Sequence, residues 1–300
     1  MTLRILLLGK IGQLGWELLR TLAPLGDITA FDYPEIDFSR PESLSAVVRN
    51  AAPQVVINAV AYTAVDKAEM EEKLVRAINA TATGELAQTA RAVRAAFLHV
   101  STDYVFDGRK GTPYTEVDAP HPLNVYGQTK LEGEQAALQA GGAPLVLRTA
   151  WVYSTRRDSF VTKVLGWSRS LPVLKLVDDQ ISNPTWARML AETMALLLAQ
   201  SQGDPYGYLS ERSGLYHLAG DGYASRLEWA QEILKLDPNP GKRTARELLP
   251  ARTSDFPTPA ERPLFSALNC ERFTRTFGLK LPAWQNGLQQ AMESLSEAAA

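Results

Sequence analysis

Short apolar runs alternate with longer stretches of helical period through the first half of the chain. Residues 3–8 form an apolar run ended by Gly9, which predicts a parallel strand buried on both faces. Leu14, Leu18, Leu19 and Leu22 then recur at helical spacing, and Pro24-Leu25-Gly26 stops that helix. The same rhythm predicts strands at 27–32, 55–58, 97–101 and 145–149, with helices over 41–51, 68–95 and 126–140. Ser39 or Pro41 stands near the start of the second helix. Asn79 marks a break in the third, and Gly141-Gly142 closes the fourth. Such alternation builds a parallel sheet with helices on both faces and right-handed crossovers.

After residue 150 the rhythm weakens, and prolines and loops increase over 200–213 and 236–263. The chain therefore reads as α/β: a Rossmann-type doubly wound parallel sheet over 1–150, and a smaller C-terminal substrate domain over 151–300. The helix near 186–200 and the strand Leu215 to Leu218 are expected to return to the first domain. The last residues, Glu297 to Ala300, are expected to fray.

The first turn reads Gly9-Lys10-Ile11-Gly12-Gln13-Leu14-Gly15, a G-x-x-G-x-x-G spacing between a strand and a helix. Glycines there allow a tight turn and let a pyrophosphate approach the helix N-terminus. The bland alternative is a turn that needs glycine only for its backbone angles. Asp32 ends the second strand, where an acid can bond the ribose hydroxyls of NAD and repel the extra phosphate of NADP. It could equally be an exposed turn acid. Lys10 pulls the other way, so NADPH and NADH both stay open. Asp37 and Phe38 either flank the adenine or are a solvated acid and a core ring.

Tyr126 and Lys130 stand four apart in YGQTK, about 5.4 Å along a helix axis and on one face. A neighbouring ammonium is expected to lower the tyrosine's pKa and ready it for proton transfer. Thr102, in STDY at the end of the fourth strand, is placed to orient a carbonyl beside Tyr126, unless it only caps a turn.

Composition removes several classes. Lys plus Arg total 31 against 33 acidic residues, which argues against nucleic acid as the main partner. The single cysteine, Cys270, makes no internal disulfide and reads as a packed thiol. His99, His121 and His217 have no partners at metal-ligand or triad spacing and read as structural. The apolar run at the N-terminus is too short for a signal peptide, and no stretch approaches about 20 apolar residues, so no membrane partner and a cytoplasmic address are expected.

These residues carry a resemblance. GKIGQLGWEL (9–18), NAVAYTAVDKAE (58–69), STDYVFDG (101–108), PLNVYGQTKLEGE (122–134), RTAWVY (148–153), DDQISNPT (178–185) and RPLFSALN (262–269) resemble the extended short-chain dehydrogenases, and within them the dTDP-4-dehydrorhamnose reductase family. The resemblance implies reduction of the C4 ketone of dTDP-4-dehydro-L-rhamnose by NADPH or NADH. It places Gly12, Gln13 and Leu14 at the pyrophosphate and Asp32, Asp37 and Phe38 at the adenosine end. Ala61, Tyr62 and Thr63 would line the cofactor cleft, and Thr102, Tyr126 and Lys130 would be the catalytic trio. Asp103 and Trp151 would contact the dTDP-sugar, with Asn183 and Arg262 on the substrate side. Trp151 could instead be a core aromatic, and Arg262 a surface salt bridge. Some members are homodimers bridged by magnesium through glutamates. Glu17 matches the first such position, but Glu293 is one place out of register, so magnesium stays possible and no metal ligand is predicted. Two rival readings remain. One is a nucleotide-sugar dehydratase or epimerase of the same superfamily, although dehydratases carry a glutamate where Tyr104 stands. The other is a non-catalytic regulatory subunit resembling that of methionine adenosyltransferase.

Overall fold

The computed structural model describes residues 2–297, so the expectation for Ala298 to Ala300 lies outside it. The first half runs β1 (Leu3–Leu8), α1 (Gln13–Thr21), β2 (Gly26–Phe31), α2 (Leu44–Ala51), β3 (Val55–Asn58), α3 (Val65–Ala68), α4 (Glu72–Arg76), α5 (Ala82–Ala92), β4 (Ala96–Thr102), α6 (Val125–Ala140) and β5 (Pro144–Thr149). The predicted long helix over 68–95 is thus several pieces. A π-turn over Ala77–Thr81 joins α4 to α5 and contains Asn79, whose side chain accepts from Tyr62 N (2.8 Å) and donates to Thr129 (3.2 Å).

The second half supplies β6 (Val152–Tyr153), α7 (Phe160–Ser170), β7 (Val173–Val177), β8 (Ile181–Ser182), β9 (Thr185–Trp186), α8 (Ala187–Ala199), α9 (Pro205–Ser210), β10 (Gly214–His217), β11 (Ala224–Ser225), α10 (Arg226–Lys235), β12 (Glu247–Ala251), α11 (Glu271–Phe277) and α12 (Trp284–Glu297). Both stretches read as loops hold an element. Asp204 caps α9 by accepting from Gly207 N, and Pro205 opens it. The mostly exposed β12, which contains Pro250, pairs in parallel with β7. Its exposure is why no apolar pattern betrays it.

Six parallel strands form the main sheet in the order β10-β5-β4-β3-β1-β2. Both faces are covered. Leu3, Ile5 and Leu7 of β1 pack toward α1 and α8, and Leu6 and Leu8 toward α2, α5 and α6. Each fully buried leucine contributes roughly 1.5–3 kcal/mol. The strand from the second half, β10, extends the sheet beyond β5, and α8 lies against α1. A separate core gathers around Trp229, with Tyr153, Val161, Val164, Trp186, Trp284 and Leu288. Strand order reverses between β1 and β3, and the crevice beyond their carboxyl ends is where ligands bind in such sheets. Among the described residues no helix is long and apolar enough to cross a membrane.

Candidate active site

The three loop glycines serve different ends. Gly9 has φ +94°, and a Cβ there would crowd Ala59. A Cβ on Gly15 would fall 1.8 Å from the Gly9 carbonyl oxygen, so helix-to-strand packing requires that glycine. A Cβ on Gly12 would meet only Gly9 O, at 3.4 Å, and its φ of −61° suits any residue. Nothing inside the protein demands Gly12, which lines a 530 Å3 cavity with Gln13, Leu14, Ala61, Thr63, Thr102, Asp103, Tyr126, Lys130, Thr149 and Trp151. Gln13 Oε1 and Thr149 Oγ1 are buried without a partner, while Leu14 also belongs to the core. A bare glycine face beside unpartnered polar atoms fits a dinucleotide.

Asp32, Asp37, Phe38, Ala61 and Tyr62 line a second cavity of 220 Å3, and Ala61 borders the first as well. The Asp32 carboxylate accepts from Ile11 N (2.9 Å) and Tyr33 N (2.8 Å), so it braces the glycine loop itself. Asp37 caps Ser39, whose bonds hold its carboxyl below the usual range, and Phe38 is a buried core ring that still borders the cavity. Lys10 pairs with Glu35 at 2.5 Å and donates to Ala30 O, so its ammonium is already engaged.

Thr102 and Thr149 are neighbours across β4 and β5 at their carboxyl ends. Asn124 caps α6 by accepting from Gly127 N (2.8 Å). A Cβ on Gly127 would lie 2.2 Å from Tyr104 O, so glycine lets the helix start settle onto the turn after Thr102. That approach sets the Tyr126 phenol beside Thr102. Farther along α6, Glu134 meets Arg148 of β5 in a buried ion pair (2.6 Å) and accepts from Ser101 Oγ (2.5 Å). These bonds fix the helix beneath the site.

One expectation is overturned. Burial raises the Tyr126 pKa above the usual phenol value, against the smaller opposing effect of Thr102, and Lys130 does not act on it. The ammonium points elsewhere: Lys130 Nζ donates to Val100 O (2.6 Å) and faces His99 Nε2 (3.1 Å). Desolvation therefore outweighs the expected charge effect.

His99 is the functional neighbour that sequence reasoning set aside. Asn58 Oδ1 accepts from Val60 N (3.1 Å), which leaves its Nδ2 facing Thr83 (3.4 Å) and His99 Nδ1 (3.2 Å). Burial lowers the His99 pKa and keeps the ring neutral. Nδ1 then accepts, and the one ring proton is assigned to Nε2, aimed at Lys130. A neutral amine can accept that N–H, whereas an ammonium is repelled by it. Burial lowers the Lys130 pKa to about 8.

On the substrate side, Trp151 sits at φ +40° with its ring stacked on Trp229 (centroids 5.5 Å apart). The buried Asp103 carboxylate accepts from Thr102 (3.2 Å), Ser182 (3.0 Å) and Ser266, yet burial still raises its pKa. Asn183 is 2% exposed and spends its amide on Leu268 N, Gly220 O and Gly222 O, outside the Tyr126 cavity. Arg262 forks onto Asp66 with two 2.8 Å bonds. Both residues are therefore tied to the protein itself. Arg226, by contrast, has no ion-pair partner among the described residues and stacks on Trp151 at 3.6 Å. Its sequence signal was available: it occupies the first helical position after the Ser225 cap, where the helix dipole disfavours a cation.

Burial pushes the Cys270 thiol up to about 12, which makes it a poor nucleophile. Burial lowers His217 to about 3. Glu17 lies among Arg188, Arg20 and Arg156, and burial raises its pKa, while Glu293 accepts from Gln289. Among the described residues no three potential ligands cluster as a metal site.

A family model described as the RmlD substrate binding domain matches residues 3–297. The chain is 40% identical over 298 residues to the dTDP-4-dehydrorhamnose reductase of Escherichia coli strain K12, covering 98% of each. It is 35% identical to a probable dTDP-4,6-dihydroxy-2-methyloxan-3-one 4-ketoreductase of Streptomyces antibioticus, covering 98% of this chain and 96% of that one. A crystal structure of the dTDP-4-dehydrorhamnose reductase of Bacillus anthracis in complex with NADP superimposes with a TM-score of 0.87 at 30% identity, covering 98% of this chain and 100% of that one. With identity of that order along nearly its whole length, the chain belongs to the dTDP-4-dehydrorhamnose reductase family.

Proposed function

We propose that the chain reduces the C4 keto group of dTDP-4-dehydro-L-rhamnose to give dTDP-L-rhamnose, using NADPH or NADH. The observation that carries this reading is a single cavity that holds Gly12 and Gln13 at one end and Thr102, Tyr126 and Lys130 at the other. The bound dinucleotide supplies the hydride. Gly12 gives its pyrophosphate room, and Gln13 Oε1 and Thr149 Oγ1 offer acceptors to its N–H groups.

Thr102 orients the keto oxygen beside the Tyr126 phenol. Because burial raises its pKa, Tyr126 holds its proton at neutral pH and donates it to that oxygen. Lys130, charged below about pH 8, holds the nicotinamide ribose. Trp151 offers a flat apolar face to the sugar ring. Elimination of the dehydratase kind needs a free carboxylate base beside the sugar. Asp103 accepts three hydroxyl bonds, and the next residue is Tyr104, whose ring meets Tyr126 edge-on at 5.8 Å. Reduction is the chemistry left to this site.

The test is loss of reduced-nicotinamide absorbance with dTDP-4-dehydro-L-rhamnose generated in place. Turnover should require both components. Tyr126→Phe should lower it by about 10²–10⁴-fold with cofactor binding near normal. Near-wild-type turnover would remove Tyr126 from the reaction.

A further inference from the structure

Arg226 is a half-buried cation without a carboxylate partner among the described residues. Its guanidinium carbon lies 3.6 Å from the Trp151 ring centroid, 4.9 Å from Phe160 and 5.6 Å from Trp229. The Tyr104 phenol is the polar group its side chain faces. Among the described residues no carboxylate stands at ion-pair distance from it, and nearby Asp103 is already bonded to three hydroxyls. Burying an unpaired charge is costly. The position adds to that cost, since Arg226 opens α10 where the helix dipole is positive. A residue that breaks two rules at once calls for a compensating group that comes from outside the fold.

Its placement says which kind. Stacking occupies the faces of the guanidinium and leaves its edge N–H donors in the fork that suits phosphate oxygens. Trp151, beneath it, lines the cavity of Tyr126. Arg226 itself lines a second cavity of 400 Å3, walled by Phe160, Trp167, Leu174, Leu176 and Phe256, with Gln180 as a polar member. That wall is apolar and aromatic, suited to a flat nucleobase. The arginine thus stands at the junction of a compartment for a sugar and a compartment for a base.

We propose that Arg226 binds the diphosphate of the nucleotide sugar and that the Phe160–Trp167 cavity receives its nucleoside. The inference rests on the reductase reading above and adds the part of the substrate that this reading leaves unplaced. Binding brings phosphate oxygens to donors that now have only a phenol, so the affinity of Arg226 is for the diphosphate and not for the base.

The experiment is calorimetric titration of the full chain, saturated with NADPH, with dTDP and separately with thymidine. Arg226→Met keeps the stem and removes the charge, and Arg226→Lys keeps a charge without the fork. Arg226→Met should weaken dTDP by about ten-fold or more. Thymidine affinity, NADPH affinity and melting temperature should stay near wild type, and Arg226→Lys should recover part of the loss. Equal weakening of dTDP and thymidine would mean a collapsed aromatic wall and would overturn the proposal. So would dTDP affinity within about two-fold of wild type in an enzyme that still reduces the keto sugar, and the reductase reading would then survive. A wild-type protein that neither binds dTDP nor reduces a dTDP-keto sugar would remove both.

Discussion

Lys130 is held in the fold at a cost that pH can switch off. Its ordinary pKa of 10.5 falls to about 8 because burial disfavours the charge. The unfolded chain therefore binds the proton more tightly than the native one. Below about pH 8 the native state carries the full penalty, about 3 kcal/mol. As pH rises from about 8 toward 10.5, the amine is neutral when folded and still charged when unfolded, so the penalty fades and stability rises. Lys130→Met keeps much of the stem and removes the ionisation. It also leaves Val100 O without its donor, a cost of about 1–3 kcal/mol that does not depend on pH. Absolute stability at one pH therefore mixes two effects, and the pH slope isolates one of them. Between about pH 7 and pH 10 the wild type should gain about 2–3 kcal/mol relative to Lys130→Met. Paired urea melts of both proteins at the two pH values measure it. A difference that stays constant, or one that favours the variant at high pH, would refute the claim that Lys130 is a strained cation.

The same ionisation should show in kinetics: kcat/KM for reduction is expected to fall as pH rises through about 8, read from the nicotinamide absorbance. The loop glycines should separate. Gly15→Ala meets the Gly9 carbonyl and should lose about 3 kcal/mol or more in a denaturant melt, whereas Gly12→Ala should melt normally and weaken NADPH by about ten-fold. Glu35→Gln releases Lys10 and should raise the NADPH-to-NADH ratio of kcat/KM by about five-fold, the scale of an exposed pair. Asp32→Ala should narrow any preference for NADH, and because Asp32 braces Ile11 N it should weaken both cofactors. Glu134→Gln strands the buried Arg148 and should cost about 3–5 kcal/mol in a urea melt.

What was legible in the sequence lies within one or two turns of chain. Glycines at 9, 12 and 15 share one loop-and-helix-start, and Tyr126 and Lys130 share one helix, so spacing alone aligned them. The apolar runs that became β1, β3, β4 and β5 are buried on both faces and need no alternation to be seen. Contacts that depend on how elements cross were not legible. His99 is 31 residues from Lys130 and meets it only because α6 lies across β4. Arg262, a plausible phosphate ligand from its residue type, is matched by Asp66, 196 residues away. The ionisation of Tyr126 went the same way, because spacing places the lysine nearby but cannot say which way its ammonium turns.

The residues that break local rules converge on one place. Lys130 is a cation that is 1% exposed, Trp151 is a bulky residue at positive φ, and Arg226 is a cation at a helix N-terminus. Each carries a cost that a sequence optimised only for folding would shed. Lys130 and Trp151 line the Tyr126 cavity, and Arg226 lies directly against Trp151. The first two violations can be seen only after folding, since burial and φ are not written in residue type. The third could have been read earlier: Ser225 and Glu228 form a capping box that fixes where α10 begins, and that placement puts Arg226 at the dipole's positive end. A locally unfavourable residue at a well-specified position is thus a stronger pointer to a site than a chemically apt residue, such as Arg262, whose surroundings the sequence does not fix.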